Sequence, residues 1–243
     1  MTPAMATSAQ RGRCVTGIDG LDNILGGGIP TSNIVLVTGP SGTGKTTLAM
    51  EFLARGAVHG EIGIMVTTQE GQEKLLSNIP RLDFLKEAMF KKGTITILEL
   101  AEVLRSAGVS PTQMDEAAVD KLVGALGKVV STAKVTRLVI DTVDTILTDV
   151  KDETLDAILL TRLSEVLYKE GCTAMLVSSR GTSGVLAAVS DGIVLLGNLD
   201  RKGDLLRTMQ VVKMKGTSHS RARYVIDLTS YGVLVTPLLK GGS

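Results

Sequence analysis

Short apolar runs alternate along this chain with longer stretches whose apolar residues recur every three or four positions. "NIVLVTG" (33–39) is a continuous apolar run ending on glycine, the pattern of a strand buried on both faces. "TTLAMEFLARGAVHG" (46–60) carries apolar residues at helical spacing and closes on a glycine, as a helix and its stop do. The alternation continues through a strand at 62–68, a helix at 71–82 and a strand at 94–100. The segment from Ser106 begins as loop and becomes an amphipathic helix from about Met114. A strand at 135–141, a helix at 155–171 and a strand at 172–179 follow. Then the rhythm changes: 191–200, 205–216 and 222–238 are extended segments with no helical pattern between them. Alternating strands and helices predict an α/β fold, a mostly parallel sheet with helices on both faces. The closing segments predict antiparallel strands added at the C-terminal edge. No repeat and no linker divides the chain, so 13–243 reads as a single domain, and the small polar residues 1–12 as a flexible N-terminal arm.

Composition narrows the function. At 243 residues there is room for a substantial core, yet only 2% of residues are aromatic and none is Trp, so aliphatic side chains and nine Met must fill it. That starves any scheme in which bases stack on aromatic platforms. A net charge of +1 likewise argues against a dedicated nucleic-acid coat. Cys14 and Cys172 lack metal-ligand spacing and read as reduced thiols. No leader pattern and no apolar run of about 18 residues is present, which predicts a cytoplasmic protein. His59, at the end of the first long helix, suits the negative end of its dipole and reads as structural.

The sharpest chemistry is "TGPSGTGKTT" (38–47), where Gly39, Gly44, Lys45 and Thr46 satisfy G-x-x-x-x-G-K-[ST] between a strand and a helix. Glycines let the backbone curl so that successive N–H groups face a phosphate, and the helix beginning near Lys45 adds its positive end. Gly39, Ser41, Gly42, Thr43, Gly44, Lys45, Thr46 and Thr47 are therefore the candidate nucleotide contacts. Lys45 would reach the β/γ oxygens, and the Thr46 hydroxyl would ligate Mg²⁺. A second element should supply an acidic side chain at the end of a nearby strand. Asp141 closes "RLVID" and is the candidate to hold Mg²⁺ through its water shell, with Asp144 as the alternative. Hydrolysis needs a group to polarise water, and Glu70 after the second strand offers one, with Glu73 beyond. No [NT]-K-x-D guanine-reading motif is present, which favours ATP over GTP.

With these parts in place, the chain resembles the RecA-like P-loop ATPases and, within them, the KaiC-like family, from about Arg13 to Leu239. The resemblance rests on "TGIDGLDNILGGGIP" (16–30), the phosphate loop and its helix, "RLVIDTVD", "VSDGIVLLGN" and "VVKMKGTSHSRARYVIDLTSYGVLV". It implies a RecA-like core and a trans arrangement in which Lys213 and Lys215, with His219 nearby, serve the γ-phosphate of a neighbouring subunit. Such an arrangement needs a homo-oligomer, and the family implies a hexameric ring. The region 201–223 is indeed rich in Lys and Arg. Three departures stand out. Gln69 precedes Glu70 where the family has two glutamates, which would slow or abolish hydrolysis if the first is the base. Lys215 replaces an arginine and loses its planar fork. Ala187–Ala188 occupy the place of the clock member's autophosphorylated Ser-Thr pair, so a timekeeping autokinase is not expected.

Three functions compete on these grounds. One is a KaiC-like ring ATPase switch with an unknown protein partner. Another is a recombinase paralogue binding single-stranded DNA through the loops at 148–156 and 178–191, although Arg180 is the only cation of the second. The third is an ATP-binding scaffold with little turnover, motivated by Gln69.

Overall fold

A computed structural model describes residues 12–68, 71–77, 82–110, 114–147, 153–201 and 203–238. In chain order its elements are β1 (Arg13–Cys14), α1 (Leu21–Ile24), β2 (Ile29–Pro30), β3 (Ile34–Thr38), α2 (Lys45–Val58), β4 (Gly63–Thr67), α3 (Gln72–Ser77), α4 (Glu87–Lys91) and β5 (Ile95–Glu99). There follow α5 (Leu100–Ala107), α6 (Glu116–Thr132), β6 (Arg137–Asp141), α7 (Glu153–Lys169), β7 (Thr173–Ser178) and α8 (Gly184–Val189). The chain then runs through β8 (Gly192–Arg201), β9 (Asp204–Met214), β10 (Arg223–Thr229) and β11 (Gly232–Pro237). Nine strands form one sheet in the order β11-β10-β9-β8-β3-β7-β6-β4-β5. From β8 to β5 the pairing is parallel, and β9, β10 and β11 add antiparallel, as the segment pattern predicts.

Every residue of β3, β4, β6 and β7 is buried, which is why these strands read as continuous apolar runs. Their side chains still alternate. Val35 and Val37 join a core with Leu48, Phe52 and Leu53 of α2, whereas Ile34 and Leu36 join another with Leu122 of α6 and Leu163 of α7. Helices therefore cover both faces.

Differences from the sequence expectation have local causes. Residues 100–107 form α5 rather than a strand end and loop, because Leu100, Val103 and Leu104 bury one helical stripe. The segment 222–238 is a hairpin, turning at Ser230–Tyr231, where the Thr229 hydroxyl donates to Gly232 O at 2.8 Å. The helix expected at 71–82 is described only as far as Ser77. All of the expected arm except Gly12 lies outside the described residues. Among the described residues no helix is long and apolar enough to cross a membrane.

Two polar clamps fix α2. Arg137, heading β6 and 1% exposed, donates to Phe52 O and Val15 O at 2.7 Å each and pairs with Glu61, so the buried cation is satisfied. Glu51, fully buried, accepts from the Val233 N–H at 2.6 Å and from Arg55, tying α2 to β11.

Candidate nucleotide site

Sheet register sets the site. Thr38 pairs with Ser178, Val177 with Asp141, and Asp141 with Thr67. The carboxyl ends of four adjacent parallel strands thus meet at one edge, where α/β sheets bind ligands. The chain leaves β3 at Gly39 with φ 148°, and a Cβ there would sit 2.1 Å from Leu196 O, so only glycine passes. The Thr43 hydroxyl donates to Pro40 O at 2.8 Å and braces the loop. Helix α2 then starts with Gly44 as its N-cap, without a side-chain cap, which leaves its first N–H groups directed at the loop.

The cleft above this loop has a volume of about 390 Å³. It is lined by Ser41, Gly42, Gly44, Lys45, Thr46 and Thr47 of the loop and helix start, and by Asp141, Thr142, Asp144, Ser179 and Leu228. The Lys45 ammonium is folded onto Gly39 O at 2.7 Å and Pro40 O at 2.9 Å, and burial lowers its pKa against the pull of Asp141 and Asp144. The Thr46 hydroxyl donates to Asp141 Oδ2 at 2.6 Å. Backbone donors, an ammonium, a hydroxyl and a carboxylate converge here, a donor set that fits a nucleotide phosphate chain with Mg²⁺. Leu228 closes the cradle, since a Cβ on Gly44 would lie 2.9 Å from its Cδ1.

Asp144 has a different role from Asp141. One of its oxygens accepts from the Ser178 hydroxyl at 2.5 Å, the other from Ser179 N–H at 2.7 Å and Ser179 Oγ at 2.8 Å. It orders the two serines at the end of β7. Arg180 folds back beside Asp144 and Asp156, at 3.7 Å from each carboxylate. Gly181 N–H donates to the Thr38 hydroxyl at 3.0 Å, which joins this loop to the root of the phosphate loop.

Lys213 and Lys215 lie at the other end of the sheet. Ile193 pairs with Lys213 and Gly192 with both Met214 and Val35, so these lysines sit level with the start of β3. The four steps from Ile34 to Thr38 put roughly 13 Å of strand between them and the chain's own phosphate loop. Lys213 Nζ donates to Ala187 O at 3.1 Å and Ala188 O at 3.2 Å, and burial, then the charge of Lys215, lowers its pKa. Lys215 Nζ pairs with Asp191 at 3.0 Å. His219 Nδ1 meets Ser220 O at 3.2 Å.

Gln69 and Glu70 lie outside the described residues. The preceding Thr68 N–H donates to Asp141 O at 2.9 Å. Glu73 is exposed on α3. Sequence reasoning missed Ser178, Ser179, Leu228 and Arg207, whose Nε donates to Gly42 O at 3.2 Å. The "SS" closing an apolar run was a legible signal for the serines. Nothing in the sequence signalled Leu228, and Arg207 read only as one cation of the basic stretch 201–223, because β9 and β10 reach the loop only through sheet pairing.

Known proteins resemble this chain in sequence and in fold. A family model described as "ATPase: KaiC" matches residues 14–240. The UPF0273 proteins of Methanopyrus kandleri and Thermotoga maritima are each 32% identical, covering 93% of this chain and 92% and 96% of their own length. The circadian clock protein KaiC2 of Synechocystis is 29% identical over 93% of this chain, which spans only 40% of that protein. The crystal structure of a KaiC-like protein from Pyrococcus horikoshii superposes with a TM-score of 0.78 at 28% identity, over 93% of this chain and all of that one. The chain thus belongs to the KaiC family of ATPases.

Proposed function

We propose that residues 13–243 act as one ATPase unit that binds ATP with Mg²⁺ in the Gly39–Thr47 cradle and assembles into a ring whose active sites lie between subunits. The observation that carries the reading is the 2.6 Å bond between Thr46 and Asp141 beneath the phosphate loop, the hydroxyl and carboxylate that an Mg²⁺-nucleotide requires together. Bound Mg²⁺ supplies neutralising charge at the phosphate oxygens. Lys45 binds the β/γ oxygens, Glu70 polarises the attacking water, and Lys213 and Lys215 of the partner subunit meet the developing charge. The separation of these lysines from their own loop supports a head-to-tail arrangement, which gives a ring when the rotation between subunits closes. Six subunits are the number implied by the family resemblance.

Light scattering with and without ATP·Mg²⁺, run beside phosphate release, tests this. Mass should rise on adding ATP·Mg²⁺, and release should exceed that of Lys45→Ala. Unchanged mass together with release equal to Lys45→Ala overturns it. Assembly without turnover favours the scaffold reading that Gln69 motivates. The strand-binding reading loses ground at its second loop, since Arg180 is engaged with Asp144 and Asp156; residues 148–152 of its first loop lie outside the described residues.

A further inference from the structure

Asp191, between α8 and β8, makes four polar contacts at the root of the phosphate-loop strand. Its N–H donates to Ile34 O at 2.8 Å, and its carbonyl accepts from Lys215 N–H at 2.8 Å. Its carboxylate accepts from Ile34 N–H through Oδ2 at 3.1 Å and from the Lys215 ammonium through Oδ1 at 3.0 Å. The carboxylate is therefore fixed by backbone on one oxygen and aims a long, flexible side chain with the other.

We propose that Asp191 is a positioning residue for catalysis at the neighbouring subunit: it sets the direction of the Lys215 ammonium. The inference rests on the reading that Lys215 acts across the interface. Stability alone is a poor reason for the pair, because the Lys215 side chain is 56% exposed and exposed pairs contribute little. The ammonium keeps donors beyond the one given to Asp191. Lys213 is fixed in parallel by the two carbonyls at the end of α8. Two like charges two positions apart on the chain thus share a single neighbouring carboxylate, and the charge of Lys215 lowers the pKa of Lys213 beside the effect of burial. Lys215 is a compact point charge without the planar fork of arginine, so its direction has to be set from outside.

Asp191→Asn tests the proposal, because the amide oxygen still accepts from Ile34 N–H while the anionic hold on Lys215 is lost. Phosphate release should fall about tenfold, with KM for ATP changed less than about twofold, as expected for misplacement of a group that acts in the transition state. The loss should vanish against a Lys215→Ala background. Mixing equal amounts of Asp191→Asn and Lys45→Ala should restore release severalfold per Asp191→Asn subunit, since the Lys45→Ala chain brings a correctly held Lys215 to the intact cradle. A residue serving its own phosphate loop through Ile34 would not be complemented. Wild-type turnover in Asp191→Asn overturns the proposal. So does failure of this mixture when Lys215→Ala mixed with Lys45→Ala is restored. If that control mixture also fails, or Lys215→Ala turns over normally, the interface reading falls and takes the proposal with it. Should Asp191→Asn not fold, Asp191→Glu keeps the charge but displaces it by a methylene and is read the same way.

Discussion

Thr46 and Asp141 are 95 positions apart in the chain and 2.6 Å apart in space, and neither is explained by packing alone. A threonine at the start of a helix and an aspartate at the end of an apolar strand are each common. Their meeting at the cleft is what the proposed Mg²⁺ site rests on. With Thr46→Ala the Mg²⁺-dependent part of ATP affinity should fall about tenfold, while binding in EDTA stays the same. Titration of a fluorescent ATP analogue with and without Mg²⁺ reads this directly; equal losses in both conditions would assign Thr46 to the loop and not to the metal. Gly39 answers to different physics. A methyl there meets Leu196 O at 2.1 Å in a left-handed backbone, so Gly39→Ala should destabilise the fold by about 2 kcal/mol or more. Thermal melting checks it.

Helix α2 unites two tasks. Its start faces the phosphate cleft, and roughly two to three turns further Glu51 and Arg55 hold the β10–β11 hairpin, from which Leu228 covers the loop. Burial raises the pKa of Glu51 above 4.5, against the opposing Val233 N–H and Arg55. The folded chain therefore holds this proton more tightly than the unfolded chain. The resulting stability is fully present below pH 4.5 and is lost as pH rises through the folded value. Urea melts of wild type against Glu51→Gln should show the difference shifting in favour of wild type as pH is lowered through that window, then levelling below 4.5. A pH-independent difference would show that Glu51 does not titrate on folding. The helix itself was legible, from its spacing and closing glycine. The hairpin clamp was not, because Glu51 looks in sequence like one more exposed helical acid, and only the hairpin supplies the buried donor at Val233.

Across the molecule, the sheet separates two kinds of positive charge. Lys45 stands at the carboxyl edge, and Lys213 and Lys215 at the opposite end of the central strand. If both kinds serve one nucleotide, a single chain cannot complete its site. Phosphate release per subunit should then fall as the protein is diluted through its assembly range. Constant specific activity down to the monomer would show a site complete within one chain.

Residue order alone carries the alternation of strands and helices, the phosphate loop and the aspartate that accompanies it. These depend on local backbone geometry and on periodic burial, and both are written in residue order. It also marked the family through "KMKGTSH". The tertiary structure alone decided what faces what. Sheet order and register brought Ser178, Ser179 and Asp144 together, carried Leu228 and Arg207 to the loop from late strands, and tied Lys215 to Asp191 at the far end. Such contacts join segments far apart in the chain through hydrogen-bonded strand pairing, and no local pattern encodes which strand becomes whose neighbour.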